Sequence, residues 1–340
     1  MEKMHATIAD VAELAQVSKM SVSRVLNGQS GVSEKTRQRI LDAVEKLGYV
    51  PNLNPRFRPN SSRMVGLLIP DITTTYMGEI LRGVSGAAER LNYGLMLYTQ
   101  GSTDHERRTN YYLSLLNNNL VDGVLMVVPH DYELIVNDLK AHDLRYVIID
   151  HHNGTGSEPS VTATNRRGVH DAMRHLLALG HRRIGFITGR MDIACSHDRL
   201  QGYRDGLAEV GIPFESELVR EGDFTQPSGF RQAWTLLQLT EPPTAIIASN
   251  DVMAFGVMDA AKASDLAIGQ DISIIGFDDI FMTSQVYPTL TTIRQPLAAM
   301  GEAALEMLVT VLQERTVLNP RRELPTELII RQSTGPVRQR

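Results

Sequence analysis

Between Val17 and Gly28 the chain reads VSKMSVSRVLNG. Lys19, Ser21, Ser23 and Arg24 crowd hydrogen-bond donors and two positive charges into six residues, among Val22, Val25 and Leu26 at helical spacing. A polar side made of donors and cations suits a surface of acceptors and negative charge, and double-stranded DNA presents such a surface. If a helix over 19–26 buries Val22, Val25 and Leu26, then Lys19, Met20, Ser23 and Arg24 turn outward. Lys19 and Arg24 can donate to guanine O6 and N7, Met20 can touch a thymine methyl, and Ser21 and Ser23 can reach phosphate or a base edge. A merely solvated helix face is the alternative, and the charge distribution weighs against it. Residues 1–60 hold nine Lys/Arg against six Asp/Glu, whereas the rest of the chain holds 25 against 33, so only the N-terminal piece suits a polyanion.

The elements that must position these side chains are three short helices without a strand. Thr7 can cap a first helix running through Ala15, with Ile8, Val11, Ala12 and Ala15 on one face. A tight turn at Gln16-Val17-Ser18 leads into the second helix. Ser33 can cap a third, with Ile40, Leu41, Val44 and Leu47 facing inward before Gly48 stops it. Helix, turn and helix at this spacing is a helix-turn-helix, whose second helix enters the major groove. Thr7 and Ser18 at the helix starts and Asn27 at the end of the second complete the candidate DNA contacts. Residues 1–51 form this head, and NLNPRFRPNSSR, residues 52–63, has the Pro, Asn and Ser content of a linker.

From Met64 the texture becomes a βα alternation. The expected strands are 64–70, 94–99, 122–128, 145–150, 183–188, 244–249 and 272–277, separated by helical stretches such as 77–91, 103–117, 167–179, 199–209 and 251–263. Unbroken Val/Ile/Leu runs followed by helix-length segments argue for doubly wound parallel sheets buried on both faces. Ligands of such sheets collect beyond the carboxyl ends of the strands. The pattern restarts, with VGLLIPD opening one series and IGFITGR a second, which suggests two lobes and a cleft; one large domain with a duplicated sheet is the alternative.

The 340 residues suffice for several domains, and 42% hydrophobic with 21% charged residues is an ordinary globular composition. No apolar run reaches the roughly 18 residues of a membrane span, and MEKMHATIAD lacks the apolar core of a signal peptide. With Cys195 as the single cysteine, no internal disulfide forms, and a reducing, cytoplasmic location is expected. No GxGxxG, Walker loop or GxSxG occurs, so no catalytic residues are assigned and an enzyme is not expected. His151-His152 lacks metal-ligand spacing, so neither a metal nor a cofactor is expected. Cys195 reads as a small buried hydrophobe and Trp234 as helix core.

IADVAELAQVSKMSVSRVLNG followed by VSEKTRQRILDAVEKLGYVPN resembles the DNA-binding head of the LacI/GalR family of bacterial transcription regulators. GVLMVVP, RLQGY, AIIASNDVMAFGVMDAA, ISIIGFDD, YPTLTTIRQP and ELPTELIIRQST continue the resemblance in order and spacing, so that it spans Thr7 to Thr334. The resemblance implies a homodimeric, sequence-specific DNA-binding regulator, most often a repressor of carbohydrate-utilisation genes. Its core, 64–334, would be two lobes built like a periplasmic binding protein and joined by three crossovers, the first about 64–163 with 295–323, the second about 164–294 with 324–334. A tail, 335–340, would follow. Two heads would bind the half-sites of a near-palindromic operator, and a small ligand in the cleft would change operator affinity.

By the same resemblance, polar ligand contacts fall at strand ends: Asp150, Arg199, Asn250 and Asp278, with Phe224 offering a flat face to a sugar ring. Asp71, Thr74 and Tyr76 in PDITTTYMGEI match the family's first ligand loop, although Thr74-Thr75 replaces the usual Asn-Pro. Purine-binding relatives carry a second arginine where Ile193 stands, which favours a sugar or sugar derivative here. Each residue also has a structural reading: Asn250 as a helix cap, Asp278-Asp279 as a cap, Phe224 as core. Control by a phosphoprotein or a non-sugar co-repressor is the alternative function; a solute-binding protein or an enzyme on the same core is more remote. No leucine heptads follow ELIIRQST, so a dimer rather than a tetramer is expected.

The linker departs from the family. Where relatives have Ala-Arg-x-Leu and a short hinge helix, this chain has Pro55-Arg56-Phe57-Arg58, then Pro59, which lacks an N–H and disfavours α geometry at Arg58. The expectation is an extended arm that places Arg56 and Arg58 in a narrow minor groove, with Phe57 as a wedge. Arg58→Ala should then weaken operator binding and lower the salt slope of log K by about one unit; an unchanged slope in a salt titration removes the arm.

Overall fold

The computed structural model describes residues 8–26, 31–47, 62–99, 120–128, 132–151, 158–314 and 320–338. Two compact units separate after Pro59. Thr7, Asn27, Gly48, the linker residues Arg56, Phe57 and Arg58, and the expected helix 103–117 lie outside the described residues.

The N-terminal unit contains helices α1 (Ile8–Ala15), α2 (Lys19–Leu26) and α3 (Glu34–Leu47). Val11, Ala12, Ala15, Val22, Val25, Ile40 and Ala43 make its core. α1 ends where Gln16 turns left-handed at φ 51°, and the Val17 N–H returns to the Ala12 carbonyl at 3.0 Å. Arg39 of α3 donates to the Ala15 and Gln16 carbonyls, tying the third helix to the turn. Ser18 and Ser33 each accept from the backbone N–H three residues on, at 3.1 and 3.3 Å, and so cap α2 and α3. One expectation fails: Leu41 is 43% exposed, because the inward stripe of α3 passes through Ile40 and Ala43.

The larger unit holds two six-stranded sheets. The first contains β1 (Met64–Ile69), β2 (Gly94–Thr99), β3 (Gly123–Val127), β4 (Arg145–Ile149), β5 (Ser160–Ala163) and β11 (Arg321–Leu324), in the order β2-β1-β3-β4-β5-β11. The second contains β6 (Ile184–Thr188), β7 (Val219–Glu221), β8 (Ala245–Ala248), β9 (Ser273–Asp278), β10 (Thr291–Arg294) and β12 (Glu327–Ile329), in the order β7-β6-β8-β9-β10-β12. The same winding is used twice. All neighbours are parallel except β10 and β12.

Both faces of each sheet are covered, which is why the strands read as continuous apolar runs. Leu67, Leu125, Val147 and Val161 pack beneath α4 (Thr75–Leu91) and α10 (Leu297–Glu314), while Val124, Met126 and Ile148 meet α5 (Tyr132–Ala141) on the opposite face. In the second sheet Ile184, Phe186, Ile275 and Phe277 face α6 (Asn165–Ala178) and α7 (Ala194–Glu209). Ile187, Ile246 and Ile274 face α8 (Gln226–Leu237) and α9 (Asp251–Ala263). Trp234 does lie on a helix, but it is 41% exposed and stacks on Phe230 at 6.0 Å rather than entering the core.

The chain passes between the sheets three times: after β5, after β10 and between β11 and β12. The third passage follows Leu324, which pairs with Ala163 in the first sheet, one residue beyond the expected 323. Among the described residues, no helix is long and apolar enough to cross a membrane.

α4 and α10 approach so closely that a Cβ on Gly83 would stand 1.8 Å from the Ala298 carbonyl oxygen, whereas one on Gly86, in the same helix, would meet nothing within 4 Å. Gly83→Ala should cost about 1–3 kcal/mol, whereas Gly86→Ala should add about 0.5–1 kcal/mol. Thermal melting of the two variants checks this, and equal Tm values for both would refute the close contact.

Candidate functional site

The face offered to DNA follows from the cap of α2. Ser18 accepts from the Ser21 N–H and shares a hydroxyl contact with Ser21 at 2.9 Å, which starts the helix at Lys19. With Val22 and Val25 buried, Lys19, Met20 and Arg24 are exposed, Met20 at 66%, and Ser21 and Ser23 are half-buried beside them. Positions i, i+1 and i+5 of one helix form a single stripe, with two cations and a large apolar contact free to reach outward.

A second constellation lies at the carboxyl ends of the sheets. β4 delivers Asp150, which is 2% exposed and sits at φ 58°. Its carboxylate accepts from the Tyr76 hydroxyl at 2.9 Å and from the Asn165 amide at 3.3 Å, and Arg199 stands 3.6 Å away. Arg199 belongs to the first turns of α7 and is also 2% exposed. Its Nε donates to Asn165 at 2.8 Å, its Nη1 donates to the Ser249 carbonyl, and its guanidinium lies 3.8 Å over the Phe277 ring. Asp150 from the first sheet therefore meets Arg199 from the second through an amide that touches both.

β9 delivers Asp278, at φ 117°, whose Oδ1 accepts from the Gln295 amide at 2.7 Å. Asp251, the first residue of α9, is fully buried and accepts from the Ile280 N–H at 2.9 Å and the Thr292 hydroxyl. Left-handed backbone at Asp150, Phe224, Asp278 and Asp279 costs on the order of 1–3 kcal/mol per strained residue, a cost usually met at functional sites. The Phe224 ring lies over Gly189, where a Cβ would come within 1.9 Å of it.

The remaining predicted residues are engaged by the fold. Asn250 caps α9, accepting from the Met253 N–H at 2.9 Å and donating to the Phe224 carbonyl at 3.1 Å. Thr74 caps α4 through the Met77 N–H at 3.3 Å. Asp71 is exposed and closes a turn on Thr73, whose backbone and hydroxyl donors hold the Asp71 carboxyl below the usual range. The structure thus brings Tyr76, Asp150 and Arg199 into one cluster, while Asp71 and Thr74 serve their own loop.

Sequence reasoning missed Asn165, Asp251, Ser249 and Gln295. Ser249 and Asp251 end or follow the apolar run 244–249, and that adjacency was the available signal; Asn165 and Gln295 follow short strands that show no such run. Among the described residues, Ser196 Oγ, Ser249 Oγ and Gln295 Oε1 are buried without a partner. Cys195 is buried, and burial raises its thiol pKa far above the ordinary value, so it is no nucleophile. Asn165 also lines a groove with Arg166, Asp198, Asp205 and Arg321, but there Arg166 is held by Asp205 and Arg321 by Glu323.

Asp150 and Asp278 lie in the field of Arg199, and Asp251 in that of Asp278. Burial pushes Asp278 up to about 7 against the opposing pull of Arg199, and burial together with the Asp278 charge pushes Asp251 up. Burial also raises Asp150, with Arg199 and the Tyr76 hydroxyl opposing.

Because Asp278 binds its proton more tightly folded than unfolded, its contribution to stability is full below about pH 4 and is lost as pH rises through about 7, with a slope of up to about 1.4 kcal/mol per pH unit. Melting curves between pH 5 and pH 8 should show the wild type losing Tm as pH rises, and Asp278→Asn losing less. Parallel curves would show that Asp278 titrates normally.

Residues 7–52 match the family described as bacterial regulatory proteins, lacI family, and residues 173–334 match the periplasmic binding protein-like domain. Catabolite control protein A of Priestia megaterium is 34% identical over 336 residues, 97% of this chain and 100% of that protein. The HTH-type transcriptional repressor CytR of Escherichia coli (strain K12) is 34% identical over 334 residues, 97% of this chain and 96% of its own. Among solved structures, a complex of the transcriptional regulator CelR with cellobiose is 30% identical with a TM-score of 0.75, covering 97% of this chain and 100% of that one. The lac repressor dimer bound to operator and the anti-inducer ONPF is 30% identical with a TM-score of 0.74, covering 98% and 100%.

Proposed function

The chain belongs to the LacI family of bacterial DNA-binding transcription regulators, and from that premise we propose that it is a dimeric repressor of carbohydrate-utilisation genes whose operator affinity is set by a sugar-type ligand. The observation that carries the DNA-binding part is the exposed stripe Lys19, Met20 and Arg24 on the second helix of the head. A helix placed this way enters the major groove, where Arg24 and Lys19 read guanine and Ser18 and Ser21 reach phosphate. Thr7, Ser23 and Asn27 complete the contacts, and the linker residues Arg56, Phe57 and Arg58 serve the minor groove.

The effector reading is supported by the cluster of Tyr76, Asp150, Arg199 and Asp278 at the strand ends, with Phe224 as a flat apolar face and with Asn250, Asp71 and Thr74 as further contacts alongside their capping and turn roles. Carboxylates and amides of this kind grip hydroxyl groups. The cellobiose complex of CelR makes a sugar the natural class. The proposed division of the core has a first lobe of about 64–163 and 295–323 and a second of about 164–294 and 324–334, with Leu324 itself still paired in the first sheet. Ligand taken between lobes that share those crossovers changes their angle, and through it the spacing of the heads.

Dimerisation is assigned to the second lobe, whose Phe281 and Tyr287 are 69% and 83% exposed and stand near Met282 in sequence. Three large exposed apolar side chains within seven residues offer a dimer an apolar contact, where one standing alone would carry no such meaning. A twofold dimer presents two heads to a near-palindromic operator, and such work on a bacterial chromosome belongs to the cytoplasm.

Selection of bound fragments from randomised DNA by the full-length protein tests the function. A symmetric preferred site should emerge, and Arg24→Ala should cost about 1–3 kcal/mol on it and relax preference at one position in each half. Binding without sequence preference, or an unchanged profile in the variant, would overturn the reading.

A further inference from the structure

We propose that Asp122 is a positioning residue for operator binding: its carboxylate fixes the place and direction in which the linker leaves the first sheet, and so confines the two heads of the dimer to one half-site spacing. The inference rests on the twofold dimer on a near-palindromic operator proposed above, and it concerns a residue outside both sets of contacts named there.

Ser62 and Arg63 close the linker segment, and β1 begins at Met64. Asp122 stands 60 positions beyond Ser62, immediately before β3. Its Oδ1 accepts the Ser62 N–H at 2.8 Å and the Ser62 hydroxyl at 2.6 Å, and its Oδ2 accepts the Arg63 N–H at 2.8 Å. Both carboxylate oxygens are therefore committed to the linker end, through bonds of the charge-assisted kind. The Ser62 hydroxyl in turn accepts the Met64 N–H at 3.3 Å. The Arg63 carbonyl accepts the Gly94 N–H at 2.6 Å, where β2 starts, and the Met64 carbonyl accepts the Asp122 N–H at 2.7 Å. Arg63 itself is left-handed, at φ 49°. A residue with a side chain holds that conformation where its surroundings enforce it, and at the head of an extended strand it bends the chain. The bend and the bonds on either side of it define one direction of departure.

Neither turn closure nor strand pairing accounts for these bonds. Asp71 and Asp223 bind the backbone N–H two residues on, at 2.8 and 2.9 Å, and so serve their own loops. Asp122 spends its carboxylate on a distant part of the chain. The ladder between β1 and β3 starts at Val65 opposite Gly123, so the bonds to Ser62 and Arg63 lie outside it and hold chain that precedes the strand. On a two-half operator, the second head binds with an effective concentration set by how tightly its tether confines it. Freeing Ser62 and Arg63 lengthens each tether and removes its fixed direction. Half-site spacing reports this directly, because moving a half-site along the duplex also turns it about the helix axis relative to the other.

The test uses the full-length protein and the symmetric site it selects from randomised DNA, in versions with the half-sites one or two base pairs closer or further apart, and in a version with one half-site alone. Wild type should prefer one spacing sharply. Asp122→Ala should bind that spacing at least about threefold more weakly, lose at least about threefold of the discrimination against the others, and bind the single half-site as wild type does. Asp122→Asn, with one acceptor oxygen left, should fall between. Trypsin should cut after Arg63, read by mass spectrometry as the fragment beginning at Met64, at least about tenfold faster in Asp122→Ala than in wild type. Should Asp122→Ala fail to fold, Ser62→Ala, which removes only the hydroxyl, should flatten the spacing preference in the same direction. Weakening in equal proportion on every DNA would make the residue merely structural and overturn the inference. An unchanged preference in a folded variant, indifference to spacing in wild type, or equal cleavage after Arg63 also overturns it, and leaves the dimer reading standing. Selection by wild type of a site without twofold symmetry removes the dimer reading, and this inference with it.

Discussion

The buried contact of Arg199 with Asp150, made through Asn165, is the interaction on which the core depends. One partner comes from the end of a first-sheet strand and the other from a helix packed on the second sheet, so the contact joins the two halves of the core. Buried ion pairs of this kind add little net stability, but removing one partner is severe because the other is left charged in a dry interior. Asp278 lies in the field of the same guanidinium, and its raised proton affinity comes chiefly from burial, with Arg199 opposing.

The three passages between the sheets are tied into the same network. Asn165 follows the first passage and binds Asp150. Gln295 lies on the second and binds Asp278 through both its backbone and its side chain. Thr326 lies on the third and bonds to Thr164, beside Asn165. A group that competed for either carboxylate would therefore act on the segments that cross between the sheets. Such coupling would need no long pathway, because the cluster residues and the crossover residues are neighbours or the same residue.

The strands of the core were legible because burial on both faces leaves unbroken apolar runs, and the expected segments at 94–99 and 251–263 coincide with the observed elements. β5, β7, β10, β11 and β12 fall outside the expected runs, since three or four residues such as VRE, TTIR or RREL are too short to show a period. In the head, the burial of Val22 and Val25 on α2 followed directly from its spacing, but Leu41 shows the limit of that method: the inward stripe of α3 passes Leu41 and takes Ala43, two positions on. At the cluster, residue types flagged Asp150, Arg199 and Asp278, and nothing local could reveal that Asn165 and Gln295 complete them. Their partners lie 15 and 17 residues away and on a different sheet or crossover. Trp234 was misplaced for a related reason: its helix was clear, but which side faced the sheet depended on a neighbour the sequence does not name.

The placement of β11 and β12 bears on how the protein is made. These strands, residues 321–329, close the edges of the two sheets, and α10 just before them covers a face of the first. A chain emerging from the ribosome therefore has its three head helices complete by Leu47, while both sheets stay unfinished until residues 321–329 have been made. At roughly 5–20 residues per second, that interval lasts tens of seconds. During it, the nascent protein carries a formed DNA-reading surface attached to a core that cannot yet sense anything, and a transcript truncated before codon 321 would leave it in that state permanently.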